Sequence, residues 1–302
     1  MELFVQQLIN GLTIGAFYAL VALGYTMVYG VLKLINFAHG GLFMWGAYLG
    51  WMGLTVALAA VFQNSLLALI PVVIGVMVTV GIMGVLIERV AYRPLRRAGR
   101  LPPIISALGV AFILESIARN VWGASYKVYP PGLLPTGGIT IIGGVRLSYI
   151  QIAVLLLSFI LMGALYSFVQ YTRAGTAMRA VSLDHDTSQL MGINVNRIIA
   201  LVFFIGPALG GVAGMMVGMY YGSFDFTLGW SFGLKAFIAA ILGGIGNIPG
   251  AMVGGFLLGS VETLGAGYAS PQWKDVMAYV ILIVILIVRP TGLLGERVAE
   301  KL

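Results

Sequence analysis

The feature that most constrains this chain is a succession of apolar stretches, each close to the length that crosses a bilayer and each followed by a short connection. They run over about residues 5–32, 41–60, 65–87, 103–122, 148–170, 198–222, 230–267 and 271–289. A hydrocarbon core about 30 Å thick needs about 20 apolar residues per helix, so the stretch 230–267 is too long for one crossing. Gly243, Gly244, Gly246, Asn247, Pro249 and Gly250 interrupt it and predict a break. Both pieces crossing and a partly re-entrant piece are equally compatible with that break, which leaves eight to nine segments. The last stretch reaches crossing length if Ser270 is the N-cap, Pro271 the first helical residue and Trp273 an interfacial anchor. With 60% hydrophobic and 9% charged residues, the 302-residue chain has no composition left for a soluble domain. The expected fold is one all-α polytopic membrane domain, residues 1–302, a helical bundle with Gly-rich broken helices.

Basic residues set the orientation. Arg89, Arg93, Arg96, Arg97 and Arg100 share one connection, Arg173, Arg179 and Arg197 a second, and Arg289, Arg297 and Lys301 the C-terminal end. The positive-inside rule places all three in the cytoplasm. Counting back puts residues 61–64 outside, Lys33 to Gly40 inside and the N-terminus outside, so that 12 of the 17 basic residues lie inside. Arg119, Lys127, Arg146 and Lys274 lie outside, and Lys235 sits within the broken stretch. The chain opens on Met1 and Glu2 without a basic leader, so its first apolar run reads as a retained span. A net charge of +7 distributed in this way reports topology and gives no reason to expect a nucleic-acid partner.

Several chemistries are excluded. The chain has no cysteine, hence no disulfide, thiolate metal site or cysteine nucleophile. No Gly-Lys pair occurs, so the phosphate-binding loop of an ATPase is missing and no bound cofactor is expected. The two histidines, His39 and His185, form no HExxH motif and map to connections, which argues against an intramembrane zinc or serine protease and predicts no metal site.

Gly206, Gly210, Gly214, Gly218 and Gly222 recur every four residues and predict a seam for close helix packing, as do Gly250, Gly254, Gly255 and Gly259. Charges in apolar stretches are few: Glu115, Lys235 and Glu262, with Asp225 near an end. Glu115 and Arg119, four residues apart, are expected to pair. Lys235 and Glu262 lie toward the outer surface, where local pairing is expected. The connection 171–197 is long, mixed in charge and helical in its middle, which suits a short amphipathic helix on the cytoplasmic side.

Five segments in order carry a resemblance: INFAHGGLFMWGAY (Ile35 to Tyr48), RPLRRAGRLPPIISALG (Arg93 to Gly109), RAVSLDHDTSQLMGINVNR (Arg179 to Arg197), KAFIAAILGGIGNIPGAMVGGFLLG (Lys235 to Gly259) and RPTGLLG (Arg289 to Gly295). The chain resembles the permease subunits of bacterial ABC importers for high-affinity branched-chain amino acid uptake, over nearly its whole length. Importer permeases dock on their ATPase through a cytoplasmic loop with a Glu-Ala-Ala start, three variable residues and a glycine. Asp186, Thr187 and Ser188, then Gln189 to Met191, then Gly192 keep that spacing, although only the glycine is identical and the usual proline is displaced to Pro207. The resemblance thus implies an ATPase-coupling segment at Asp184, Asp186, Ser188, Gly192 and Asn194, and candidate pathway or gating residues at Asn36, His39, Gly244 and Asn247.

The same resemblance implies a bacterial inner-membrane assembly in contact with lipid: this non-enzymatic subunit, a second related permease, two cytoplasmic ATPases that use ATP and Mg, and a periplasmic binding protein. A urea or short-amide permease of the same family is the nearest alternative, and an ion-coupled secondary transporter built around the broken helix is another. The orientation is testable in a natively cysteine-free chain. Single cysteines placed at 96 or 185 should escape an impermeant thiol reagent added outside intact cells; labelling from outside would reverse the topology.

Overall fold

The computed structural model describes residues 2–60, 65–96, 98–99, 101–129, 137–141 and 144–295. The expected outer connection 61–64, and Arg97, Arg100, Arg297 and Lys301, lie outside the described residues. The helices are α1 (Glu2–Leu32), α2 (His39–Ala60), α3 (Ser65–Ile87), α4 (Leu101–Trp122), α5 (Tyr149–Tyr171), α6 (Arg173–Leu183), α7 (His185–Leu190), α8 (Val195–Tyr221), α9 (Leu228–Gly243), α10 (Ile248–Tyr268) and α11 (Trp273–Val288). A π-helical turn, Glu88–Tyr92, continues α3 at its inner end. Among the described residues, six helices are long and apolar enough to cross a membrane: α1, α3, α4, α5, α8 and α10.

Two small antiparallel pairs supplement the helices. β1 (Lys127–Val128) pairs with β4 (Ser223–Phe224), and β2 (Gly138–Thr140) with β3 (Arg146–Ser148). Strands this short show no alternation, so the sequence reading contains only helices. The start of the last helix also differs. α11 begins at Trp273 after Gln272, and Ser270 and Pro271 form a turn closed by the Trp273 N–H donating to the Ser270 carbonyl at 3.0 Å. The Ser270 hydroxyl is occupied by Gln272 and does not cap the helix.

α1 is apolar all round, and 94% of its most apolar window is buried, against 22% for α4; a helix without a polar face belongs in the centre of a bundle. α8 and α10 flank α1. The lipid-facing sides of α3, α4 and α5 present Ile74, Ile82, Ile105, Phe112, Phe159 and Ile160. The glycine seam of α8 packs as its spacing requires: Gly206 against Gly24, Gly210 against the His39 ring, Gly214 against the Phe43 carbonyl and Gly218 against the Tyr129 ring. Gly222 is not part of the seam. It has φ +73, ends α8 in the left-handed conformation and faces open space. On α10, Gly255 and Gly259 lie against the backbone of Ala19 and Gly15 of α1.

The long stretch divides as expected. α9 and α10 form a hairpin around a turn at Gly244 to Asn247, with Gly243 against Gly250 and Gly254 against Ala239.

A methyl group on Gly214 would meet the Phe43 carbonyl, a backbone atom that cannot rotate away, whereas Gly163 on α5 has nothing within 4 Å of the same position. Gly214→Ala should therefore cost about 1–3 kcal/mol through separation of α2 and α8, while Gly163→Ala should stay within about 0.5 kcal/mol of the native chain. Thermal unfolding of the two purified variants in detergent checks this; equal melting would contradict the packing.

Candidate functional site

The connection 171–197 forms a compact module of two short helices. Thr172 caps α6 through its hydroxyl, which accepts from the Gly175 N–H at 3.0 Å. Asp184 caps α7, its Oδ1 accepting from the Thr187 N–H at 2.9 Å. Gly192 then reverses the chain at φ +83, with its N–H on the Gln189 carbonyl at 2.9 Å and the Ile193 N–H on Ser188 at 3.0 Å. This is the left-handed helix ending that glycine adopts without strain. Asn194 caps α8 by accepting from the Arg197 N–H at 3.1 Å.

Of the residues assigned to coupling, Asp184, Gly192 and Asn194 therefore shape the module, Asp186 is exposed, and Ser188 is buried against the bundle. The exposed surface of the module also carries three large apolar side chains: Leu183, Leu190 and Met191 are 88%, 87% and 78% exposed. The motif spacing does not point to these three. Their signal is simpler, large apolar side chains within an otherwise polar stretch at the inner surface.

A second site lies inside the bundle. Asn36 and His39, expected in a cytoplasmic connection, are buried, at 1% and 0% exposure. The chain leaves α1 at Lys33 and folds back toward the bundle. Asn36 Oδ1 accepts from the Tyr92 hydroxyl at 2.9 Å and from the Ala38 N–H at 3.1 Å, and the Asn36 carbonyl takes the His39 N–H at 3.1 Å. The His39 ring fills the gap between Gly24 and Gly210 and stands edge-on to Tyr25, centroids 4.8 Å apart.

α2 thus starts inside the protein, and α9 starts beside it. Gly40 and Gly229 are in backbone contact, and Phe43 stacks on Phe232 at 5.5 Å. Next to this meeting point is a small hollow of about 30 Å³, open to one side and walled by Phe37, Met44, Glu115, Phe226 and Trp230. Gly244 and Asn247 do not line it. Gly244, at φ +104, packs on Leu294 and Gly295, while Asn247 caps α10 through the Gly250 N–H at 2.9 Å and donates to the Leu294 carbonyl at 2.8 Å.

The charged residues also depart in part from expectation. Glu115 and Arg119 form no ion pair among the described residues. Arg119 lies 5.6 Å from the Phe226 ring centroid, leaving Glu115 at the cavity. Lys235 and Glu262 do pair, within a larger cluster. Glu262, fully buried on α10, accepts from Lys235 Nζ of α9 at 2.5 Å and from the Tyr18 hydroxyl of α1 at 2.7 Å, and Lys274 of α11 is 3.4 Å away. Lys235 also reaches Asp275 at 2.6 Å. Two cations and two anions, neutral in sum, thus join α9, α10 and α11, and the Tyr18 hydroxyl adds α1. At the inner end, buried Glu88 pairs with Arg96 and Arg93, and Arg96 donates to Asn196 at 2.9 Å.

Residues 7–286 match the family model described as the permease component of branched-chain amino acid transport systems. Over 301 residues the chain is 44% identical to the high-affinity branched-chain amino acid transport system permease protein BraD of Pseudomonas aeruginosa, covering 99% of this chain and 98% of that protein. It is 41% identical over 303 residues to the permease protein LivH of Escherichia coli K12, with 99% and 97% covered. A probable branched-chain amino acid transport permease of Methanocaldococcus jannaschii is 25% identical over 284 residues, with 91% and 88% covered.

The Glu262 cluster can be tested without a transport assay. Removing one partner of a buried pair strands the other charge, at about 3–5 kcal/mol, whereas replacing both by apolar groups avoids that cost. Lys235→Met should lower the melting temperature of the purified chain clearly, and Lys235→Met combined with Glu262→Leu should recover at least half of the loss. Additive destabilisation by the two substitutions would contradict a shared ion pair.

Proposed function

The chain belongs to the family of branched-chain amino acid transport permeases, and from that premise we propose that it is the membrane-spanning subunit of an ATP-driven importer in the bacterial inner membrane. It does not hydrolyse ATP itself, and its substrates are branched-chain amino acids handed over by a periplasmic binding protein. Its partners are a second related permease and two cytoplasmic ATPases that carry the nucleotide and Mg chemistry. The observation that carries this reading is the α6–α7 module, an ordered cytoplasmic projection with Leu190 and Met191 facing outward, on a chain without a nucleotide loop. A short capped helix can pass on a rigid-body displacement, and its apolar tip suits a cleft in another protein.

The bundle has nine membrane segments in this reading, the six long helices together with α2, α9 and α11. α9 has 16 residues, a rise of about 24 Å, less than the hydrocarbon thickness. Since it starts beside Gly40 it enters as a partly re-entrant helix from the outer side. The cavity at the start of α2 and α9 lies on the substrate's path. Its aromatic walls suit a branched apolar side chain, and the Glu115 carboxylate, without an ion-pair partner among the described residues, suits an ammonium group. Asn36 and His39 hold the α2 side of this cavity in place, and Gly244 and Asn247 hold the α9–α10 turn.

Proteoliposomes containing this chain, its permease and ATPase partners and the binding protein should take up leucine only with internal ATP. Urea uptake in place of leucine would overturn the substrate assignment. Gly192→Val forces a β-branched residue into φ +83 and should reduce uptake at least tenfold while the complex still assembles. A cysteine at Leu190 should crosslink to the ATPase. Native uptake by Gly192→Val together with no crosslink from position 190 would overturn the coupling assignment.

A further inference from the structure

The α6–α7 module is fastened to the bundle by more than its chain connections. The last carbonyls of any helix lack intrahelical partners, and two side chains of the module supply them. Arg179 of α6 donates to the carbonyls of Val169 and, at 3.2 Å, Gln170, at the end of α5. His185, the first residue of α7, has Nε2 2.8 Å from the carbonyl of Val31, the penultimate residue of α1. A carbonyl can only accept, so the nitrogen facing it carries the proton. The half-buried imidazole thus closes the C-terminal end of the most buried of the six long helices among the described residues.

The two fastenings lead to different places. Beyond Val31 the chain reaches Lys33, which has φ +55, the only non-glycine in the left-handed region among the described residues. There the chain doubles back, the Lys33 N–H closing on the Tyr29 carbonyl at 2.8 Å. Asn36 is then gripped by Tyr92, and Phe37 forms part of the cavity wall. α5, held by Arg179, contributes nothing to that wall, so of the two fastenings only His185 leads to the cavity.

We infer that His185 is a positioning residue that transmits displacement of α7 to the inner end of α1 and, through the turn at Lys33, to the Phe37 side of the cavity. The inference rests on the reading of the chain as a permease driven through α7. Its chemical content is one N–H···O=C bond, which makes it separable from simple packing.

The test uses the complete complex in proteoliposomes with leucine, ATP and Mg. His185→Phe keeps a ring and removes the donor; His185→Gln keeps a donor. A cysteine replacing Phe37 reports the cavity wall through its labelling rate with a water-soluble maleimide, with and without vanadate-trapped nucleotide. In the His185 background nucleotide should change that rate several-fold. With His185→Phe the change should vanish and leucine uptake fall at least tenfold, while ATP hydrolysis and the crosslink from position 190 persist. His185→Gln should restore most of both. Undiminished uptake and nucleotide response with His185→Phe would overturn the inference, as would a Gln variant no better than Phe. If the Phe variant does not assemble, His185→Leu and His185→Gln, closer to each other in volume, decide it: equal uptake overturns the inference. Absence of ATP-dependent uptake or of the position-190 crosslink in the native His185 background would instead overturn the functional reading beneath it.

Discussion

Lipid offers helices no hydrophobic reason to associate, since its chains are as apolar as leucine, so cohesion in this protein depends on how closely backbones approach. Dispersion attraction is short-ranged and lost when a gap of even an ångström opens. The bundle meets that constraint at its centre. α1 has glycine facing α10 at Gly11 and Gly15 and facing His39 and α8 at Gly24; Gly15 meets backbone alone, Gly11 meets backbone and the Thr263 hydroxyl, and Gly24 meets the His39 ring and the Gly206 carbonyl. Two elements of the cavity are positioned from this centre, α2 by packing on α8 and α9 by packing on α1 and α10.

The second constraint acts at helix ends. Within hydrocarbon a free N–H or C=O has no water to turn to, so a helix can begin inside the bundle only if protein groups meet its first amides. α2 does so through Asn36, and α9 through the Asp225 turn, where the carboxylate accepts from the Thr227 N–H at 3.1 Å and the Asp225 carbonyl takes the Leu228 N–H at 3.3 Å. The same rule explains the charged cluster. Glu262 can be fully buried because Lys235, Lys274 and Tyr18 converge on it from three other helices. That convergence ties α9 to α10 and α11.

Much of this is legible in the sequence where the information is one-dimensional. Apolar length marks the spans, the Gly-Pro cluster at 243–250 marks the α9–α10 turn, and the four-residue glycine step marks the α8 seam. Features that depend on partners distant in sequence are not legible. Hydropathy sends Asn36 and His39 to water, yet Tyr92 and Gly210 provide them with buried places. Helical spacing allows Glu115 to meet Arg119, but Phe226, from the loop before α9, takes the guanidinium. The docking-loop spacing coincides with α7 but carries no information on its rotation. Which of Ser188 and Leu190 faces outward is decided by the packing of α7 against the bundle, and Ser188 is the one turned inward.

These contacts give the two ends of the molecule different mechanical characters. At one end α9, α10 and α11 are clamped by a neutral four-charge cluster, joined by Tyr18 of α1, whose rupture would strand a buried carboxylate. At the α7 end the connections are neutral hydrogen bonds and caps, each worth about 1 kcal/mol, together with the Arg179 guanidinium on the end of α5 and the Glu88 pairs at the end of α3. A displacement applied at α7 therefore meets its least resistance along the inner ends of the helices. The segment that links this end to the cavity is the run from Lys33 to Ala38, held by the Lys33 N–H on the Tyr29 carbonyl, by Asn36 and by Phe37 against Phe237. In the coupling proposed above, a push on α7 reaches the cavity through this one short segment, without requiring the glycine-packed centre to come apart.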